Sequence, residues 1–579
     1  MKFLTFLVNQ PDNVLTRALG DAKKPFMVAA VFSFFTNVLY MALPLYTYQV
    51  YGRVMVSQNQ ATLWILTLVT LFVFMVSSTI DDFRARILIN YGVMLDQRVS
   101  GRIFSGLFDA AVRGDPSARS QALRDLDSFR QTLTGVAAAA FFDLPWMPVF
   151  LLVLFLINPW LGFASTAGAL ALLGLALAQE RAIRPPAREA NDAALKSYAF
   201  TEAALRNGEV VRAMGMLPTL GAAWARHRQV TIERGAHASE KSNTYTDIIK
   251  TLRMGIQVLV IGIGAALILD HKMAQGMIFA NMILVSRALQ PIERIVSAWE
   301  PLNNMARSHG RLMELLQKAE PPTPVTALPR PTGRLSVEGI NFAPPGAQRL
   351  ILANLNFRIE PGEMLGVIGP SGAGKSTLAR LLVGIWRPIN GSVRLDGADV
   401  FTWDRADFGR HVGYLPQDTE LFAGTVRDNI GRFRDDVADE EVVRAATLAG
   451  VHELILRMPK GYDTDVGEGG VVLSAGQRQR IGLARAMLGE PAYIVLDEPN
   501  ASLDAEGEDA LLKAIEAMKA KGATVVVISH KPGIFRSADK LLVLREGRID
   551  LFGPRDQVMA RLMKPADKPA DVRAIEGGR

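Results

Sequence analysis

An all-α membrane domain of six helices, followed by an α/β domain, is the fold class predicted by the chain. The boundaries are 1–318 for the helical domain, 319–332 for a linker, 333–561 for the α/β domain and 562–579 for a tail expected to be disordered. Three observations predict this. The first 300 residues hold long windows without Asp, Glu, Lys or Arg. A proline-rich stretch, Glu320-Pro321-Pro322-Thr323-Pro324 to Pro329-Arg330-Pro331, then interrupts the chain as a stiff extended spacer. Beyond it, an apolar strand pattern, a glycine-rich turn and a helical pattern follow one another at residues 364–382.

Composition agrees with a partly membrane-embedded chain. It has 579 residues, enough for two or more domains, and half of them are apolar. The net charge of +7 is modest for that length and suits a position beside a lipid surface; no nucleic-acid partner is expected. Without cysteine there is no disulfide, no thiolate metal site and no cysteine nucleophile, so no cysteine-peptidase domain is expected ahead of the rest. The opening Met1-Lys2-Phe3-Leu4-Thr5-Phe6-Leu7 is too short an apolar run for a secretory signal.

Each uncharged window of about 20 residues can cross a bilayer once. Residues 25–50 and 58–80 are the first two crossings. The window from Leu144 to Gln179 is too long for one and is split by Asn158-Pro159-Trp160, giving crossings at 134–157 and 160–179. The last two, 250–270 and 273–296, are flanked by Lys250, Arg253 and Arg287 and separated by Asp270-His271-Lys272, as helices bordering an aqueous cavity are. Lys2, Arg17, Lys23, Lys24, Arg84, Arg86, Arg98, Arg102, Arg181, Arg184 and Arg188 all fall on one side of this topology. The positive-inside rule therefore puts the N-terminus, the two long connections and the α/β domain in the cytoplasm. The two long connections read as helices continuing past the membrane, with reversals at Gly114-Asp115-Pro116 and Met216-Leu217-Pro218. Asp143, one residue before the uncharged window that starts at Leu144, is either a functional acid or a structural one at a cavity or helix contact near Pro145.

The stretch Gly369-Pro370-Ser371-Gly372-Ala373-Gly374-Lys375-Ser376, leading into Thr377, has the form G-x-x-x-x-G-K-[ST] between strand and helix. Its N–H groups can cradle phosphates at a helix N-terminus, Lys375 can reach the terminal phosphates of ATP, and the Ser376 hydroxyl can ligate Mg²⁺. Downstream, Tyr493-Ile494-Val495-Leu496 ends in Asp497, placed to hold the cation directly or through water, and Glu498, placed to orient or deprotonate the attacking water. A further apolar strand, Thr524 to Ile528, ends in Ser529-His530, which brings an imidazole to the same edge for contact with the γ-phosphate.

Leu473-Ser474-Ala475-Gly476-Gln477 resembles the LSGGQ signature of the ABC ATPases, and the chain is identified on that ground as a member of the family. The resemblance extends in order to Gln417 as the glutamine that contacts metal and water, to Ala501-Ser502-Leu503-Asp504, and to His530 as the switch histidine. It implies a type I ABC exporter fold and a homodimer in which Ser474, Ala475, Gly476, Gln477 and Asp504 complete the ATP pocket of the other copy. Two departures stand out: Ala475 replaces the usual glycine, and Phe342-Ala343-Pro344-Pro345 lacks the aromatic that stacks on adenine.

Within the family, Phe141-Phe142-Asp143-Leu144-Pro145-Trp146, Leu205-Arg206-Asn207-Gly208-Glu209-Val210-Val211 and Phe342-Ala343-Pro344-Pro345-Gly346 resemble the type I secretion permease/ATPases of the alkaline-protease exporter kind. That resemblance implies a multi-pass protein of the bacterial inner membrane and export of an unfolded polypeptide with a C-terminal signal, with a membrane fusion protein and a TolC-like outer-membrane channel as partners. Export of a lipid or small molecule is the alternative, and an ATP-gated channel is disfavoured by Glu498 and His530 together.

Overall fold

The computed structural model describes residues 13–113, 121–319, 328–344 and 349–563. The chain divides near residue 320 into two compact units.

The first is helical throughout. Helix α1 (Val14–Gly20), capped by Asn13 and Thr16 reciprocally, precedes α2 (Lys23–Leu39). The first crossing is interrupted rather than continuous: the helix breaks at Tyr40-Met41, resumes as α3 (Ala42–Gln49) and widens into a π turn at Val50–Val54. Two backbones approach closely there, since a Cβ on Gly276 would fall 2.7 Å from the Gly52 nitrogen. Helix α4 (Gln60–Val112) has 53 residues. At 1.5 Å per residue it runs about 80 Å, more than twice the hydrocarbon thickness of a bilayer.

The stretch expected as one crossing at 134–157 is also broken. Helix α5 (Gln121–Thr134) stops at Gly135, α6 (Val136–Asp143) follows, and a single 3₁₀ turn at Leu144–Trp146, forced by Pro145, leads into α7 (Met147–Ile157). Asn158 alone forms the next turn and caps α8 (Pro159–Arg206), which stays helical through Pro185 and Pro186. The short α9 (Gly208–Ala213) and a turn at Met214-Gly215-Met216 reverse the chain into α10 (Leu217–Leu269), whose Pro218 lies in the first turn where its missing N–H costs no bond. Helix α11 (Met277–Ser297) begins four residues later than the sixth predicted crossing, because residues 270–276 form a turn. Helix α12 (Trp299–Lys318) closes the unit. Among the described residues, five helical stretches are long and apolar enough to cross a membrane; α11, which carries Arg287, Glu293 and Arg294, is not among them, yet it packs on α3, α7 and α10.

Two apolar cores hold these helices. Leu15, Leu95, Ile103, Phe129, Met305 and Leu312 form one, and Phe150, Leu154, Leu172, Val260 and Leu289 the other. Asp143 sits at a junction of four helices. Its carboxylate accepts from Arg294 (2.6 Å), Arg84 (3.4 Å), Ser33 (3.1 Å) and Asn37 (3.3 Å), on α11, α4 and α2. Of the two roles open to it from sequence, the interhelix contact is the one these bonds describe.

The second unit holds two sheets. An antiparallel sheet has the order β2-β1-β4-β5, with β1 (Leu335–Phe342), β2 (Leu352–Ile359), β4 (Asn390–Leu395) and β5 (Ala398–Asp399). The other runs β10-β9-β3-β8-β7-β6: β3 (Met364–Ile368), β6 (Val412–Leu415), β7 (Tyr493–Asp497), β8 (Thr524–Ile528) and β9 (Lys540–Arg545) are parallel, and β10 (Arg548–Pro554) is antiparallel to β9. Every residue of β7 and β8 is buried, which is why these strands are unbroken apolar runs rather than alternating ones. Helices α13 (Lys375–Leu382), α14 (Arg405–His411), α15 (Val426–Ile430), α16 (Asp439–Leu448), α17 (His452–Leu456), α18 (Ala475–Met487), α19 (Ala505–Ala520) and α20 (Arg555–Met563) complete it. The last of these carries regular structure two residues into the predicted tail. The remainder of that tail, most of the linker, Pro345, and the reversal at Gly114-Asp115-Pro116 lie outside the described residues.

Candidate functional site

Strand order assembles the site. Neighbouring strands β3, β8, β7 and β6 deliver, at their C-terminal ends, the glycine-rich loop, His530, the Asp497-Glu498 pair and Gln417 respectively. Four segments spread over 160 residues of sequence thereby meet at one sheet edge, where ligands of parallel α/β sheets gather.

The loop from Gly369 to Gly374 needs glycine at both ends. A Cβ at Gly369 would lie 2.3 Å from the Leu544 carbonyl oxygen, and Gly374 turns into α13 with φ of +96°. The Lys375 ammonium, on the first turn of α13 with Ser376 and Thr377, folds back to donate to the carbonyls of Gly369 (2.9 Å) and Pro370 (3.0 Å). Burial holds its pKa below the usual lysine range, against the opposing pull of Glu498 and Asp497. Ser371, Gly372 and Ala373 span the turn between.

Opposite the loop, Asp497 is buried, and burial raises its pKa while a hydrogen bond from Ser376 lowers it. Its Oδ1 has no hydrogen-bond partner among the described residues. A buried carboxylate oxygen without a donor is costly unless a cation takes it. The Ser376 hydroxyl, which bonds the Asp497 carboxylate, and the Gln417 amide oxygen 3.5 Å from that hydroxyl complete with Oδ1 an all-oxygen set whose chemistry fits Mg²⁺. Glu498 stands next to it in a left-handed conformation, φ 49°, which an ordinary residue adopts only when its surroundings hold it there. Its two carboxylate oxygens are engaged separately, one by Gln417 Nε2 (3.3 Å), the other by His530 Nε2 (3.2 Å). Gln417 thus spans Ser376 and Glu498, and His530 reaches Glu498 from the adjacent strand.

The segment Ser474-Ala475-Gly476-Gln477 lies elsewhere on the unit. Ser474 caps α18 through a reciprocal pair with Gln477: its Oγ accepts from the Gln477 N–H (3.2 Å) and its own N–H donates to Gln477 Oε1 (2.9 Å). Asp504 caps α19, accepting from Gly507 N–H (2.9 Å) and from Arg480. Among the described residues, no hydrogen bond or ion pair joins residues 474–477 or Asp504 to the loop at 369–377. Where the adenine-stacking aromatic is missing, Phe342 is buried and stacks on Trp386 (centroids 5.1 Å, planes 8° apart), and Arg380 covers the indole.

Sequence reasoning missed Gln479 and the buried pair Asn500 and Ser529, whose hydroxyl donates to Asn500 Oδ1 (3.0 Å). Nothing local marks any of them. Their partners are 19 to 29 residues away in sequence.

Residues 352–501 match the family model described as ABC transporter, and residues 26–291 match the one described as ABC transporter transmembrane region. The chain is 42% identical to the "Type I secretion system ATP-binding protein PrsD" of Rhizobium meliloti, over 95% of this chain and 94% of that one. It is 30% identical to the "Cyclolysin secretion/processing ATP-binding protein CyaB" of Bordetella pertussis, over 89% of this chain and 73% of that one. Among solved structures, a bacterial Atm1-family ABC exporter with ATP bound shares the fold, with a TM-score of 0.80 at 21% identity over 93% of this chain and 96% of the other.

Proposed function

We propose that this chain, which belongs to the ABC transporter family and within it to the type I secretion permease/ATPases, works as half of a homodimer that couples ATP hydrolysis to export of an unfolded polypeptide. One observation carries the reading. Lys375, Ser376, Gln417, Asp497, Glu498 and His530 converge on one sheet edge, while a second helix N-terminus at Ser474 presents N–H groups and, among the described residues, residues 474–477 make no hydrogen bond to the loop at 369–377. A phosphate cradle and an anion-binding helix end that do not meet in one chain are complementary in two.

In that arrangement each ATP lies between the loop at Gly369–Thr377 of one copy and Ser474, Ala475, Gly476 and Gln477 of the other, with Asp504 at the seam. Lys375 exchanges its carbonyl partners for phosphate oxygens. Ser376, Asp497 and Gln417 would hold Mg²⁺, which when bound would supply positive charge against the phosphate oxygens. Glu498 takes the proton of the attacking water, and the imidazole of His530 steadies both the carboxylate and the γ-phosphate. Closure of the pair on ATP and its opening after hydrolysis drive the membrane helices between inward and outward openings. The N-terminus and the ATPase face the cytoplasm, as the arginine distribution supports. A membrane fusion protein and a TolC-like channel carry the polypeptide onward, a role suggested by the secretion relatives.

Glu498→Gln tests the chemistry in purified full-length protein. ATP binding is retained and turnover drops on the order of 10²- to 10⁴-fold, as when a general base is removed; turnover near wild type would sink the assignment. Ser474→Arg tests the shared pocket: nucleotide still binds and hydrolysis stops, whereas unchanged hydrolysis would exclude it. ATPase stimulation by lipid but not by the C-terminal segment of a co-secreted protein would favour the lipid-exporter alternative.

A further inference from the structure

Gln479 lies in the second turn of α18, five residues after Ser474, and is almost wholly buried. Both ends of its amide are used. Nε2 donates to the backbone carbonyl of Glu498 (3.0 Å), and Oε1 accepts from the backbone N–H of Ser502 (2.9 Å). The orientation of the amide is unambiguous, because a carbonyl can only accept and an N–H can only donate.

The carbonyl it holds belongs to the residue with the left-handed backbone. Glu498 is fixed at its N–H by the Ile528 carbonyl (2.9 Å) and at its carbonyl by the Ala501 N–H (3.1 Å) as well as by Gln479. Removing one of these holds frees a strained backbone, and with it the direction of the carboxylate. Two further contacts fasten the same helix to the same segment. Arg480 pairs with Asp504, and Gly476 lies so close to the Ser502 carbonyl that a Cβ would fall 2.8 Å from its oxygen.

We infer that Gln479 is a positioning residue that ties the helix bearing Ser474 to the backbone of Glu498, so that nucleotide docked on Ser474 orients the Glu498 of the same chain toward the other site. This rests on the two-copy pocket and on Glu498 as the base. Nothing in the geometry lets Gln479 itself touch nucleotide, so its effect falls on turnover and not on affinity.

The test uses full-length protein in lipid nanodiscs and compares Gln479→Leu, which loses both bonds, with Gln479→Glu, which keeps the acceptor for Ser502 and loses the donor to Glu498. Both lower kcat by about tenfold or more with the KM for ATP within about twofold of wild type. In Q479E the ratio of kcat to the wild-type value then rises as pH is lowered from about 8 to 6, because a buried carboxyl protonates well above the usual range and its O–H replaces the lost donor. A merely structural loss would not recover with acid. Should Q479L fail to fold, the pH response of Q479E decides alone. The inference is overturned by a kcat within about twofold of wild type, by a KM that rises with kcat unchanged, or by a Q479E ratio flat with pH. Glu498→Gln run alongside separates the two levels: turnover near wild type in E498Q indicts the base, whereas a strongly impaired E498Q beside wild-type-like Gln479 variants indicts only the positioning role.

Discussion

Asp143→Asn is a perturbation whose outcome can be worked from the geometry of one junction. The substitution keeps the side chain's shape and removes its charge. Arg84 loses a partner at 3.4 Å but keeps Asp81 at 3.0 Å, so its charge stays compensated. Arg294 loses its acidic partner at 2.6 Å. A fully buried pair broken on one side costs about 3–5 kcal/mol, an exposed one about 0–1. The Asp143 side chain is 12% exposed and that of Arg294 is 36% exposed, which puts the loss between those limits, at about 2 kcal/mol. Removing the arginine as well takes away the unpaired charge, so Asp143→Asn with Arg294→Gln should be more stable than the sum of the single losses by about 1–2 kcal/mol. Tryptophan-monitored unfolding of the detergent-solubilised full chain measures all three variants against wild type. Losses that add to within about 0.5 kcal/mol would show that the two residues do not depend on one another and would refute the account of the junction.

Burial lowers the pKa of His309 to about 4 from 6.5. The folded state therefore binds this proton more weakly than the unfolded one, so the stability it contributes is full above pH 6.5 and lost as pH falls toward 4. At about 1.4 kcal/mol per unit the loss approaches about 3 kcal/mol, and His309→Phe should flatten the pH dependence of unfolding by that amount; an unchanged slope would refute it. Gly476→Ala forces a Cβ to within 2.8 Å of the Ser502 carbonyl oxygen and must shift the backbone beside the signature. Turnover should drop on the order of tenfold to a hundredfold while fluorescent-nucleotide binding by the phosphate loop stays intact, and full activity would contradict the close approach.

The alternation between what local pattern discloses and what it hides follows the length of chain that each feature needs. Gly369–Ser376, Asp497-Glu498 and Ser474–Gln477 are legible because their geometry is built within a few residues: glycine where a Cβ would collide or φ is positive, a hydroxyl and an amide three positions apart closing a capping box, an acid at the end of an apolar strand. The two-domain order and the long helices were likewise readable from charge-free windows and from the proline-rich spacer. Helix ends were less so. The break at Tyr40-Met41 lies four residues before Pro44, which has no N–H to give the Tyr40 carbonyl, whereas the π turn at Val50–Val54 lies against Gly276, more than 200 residues away.

By itself, then, the sequence determined the chemistry available to this protein: a phosphate cradle, a carboxylate pair, an imidazole, a signature helix and enough apolar length to cross a membrane. Only the tertiary structure decided which of these groups meet. The order β3-β8-β7-β6 sets Gln417 against Glu498 across 81 residues of chain, packing sets Arg294 against Asp143 across 151, and a buried glutamine clasps the backbone just past the end of β7. The physical reason is that a turn or a cap is selected by sterics and hydrogen bonds among neighbours in sequence, whereas a partner across the fold is selected by how sheets and helices stack, and no single window of residues encodes that.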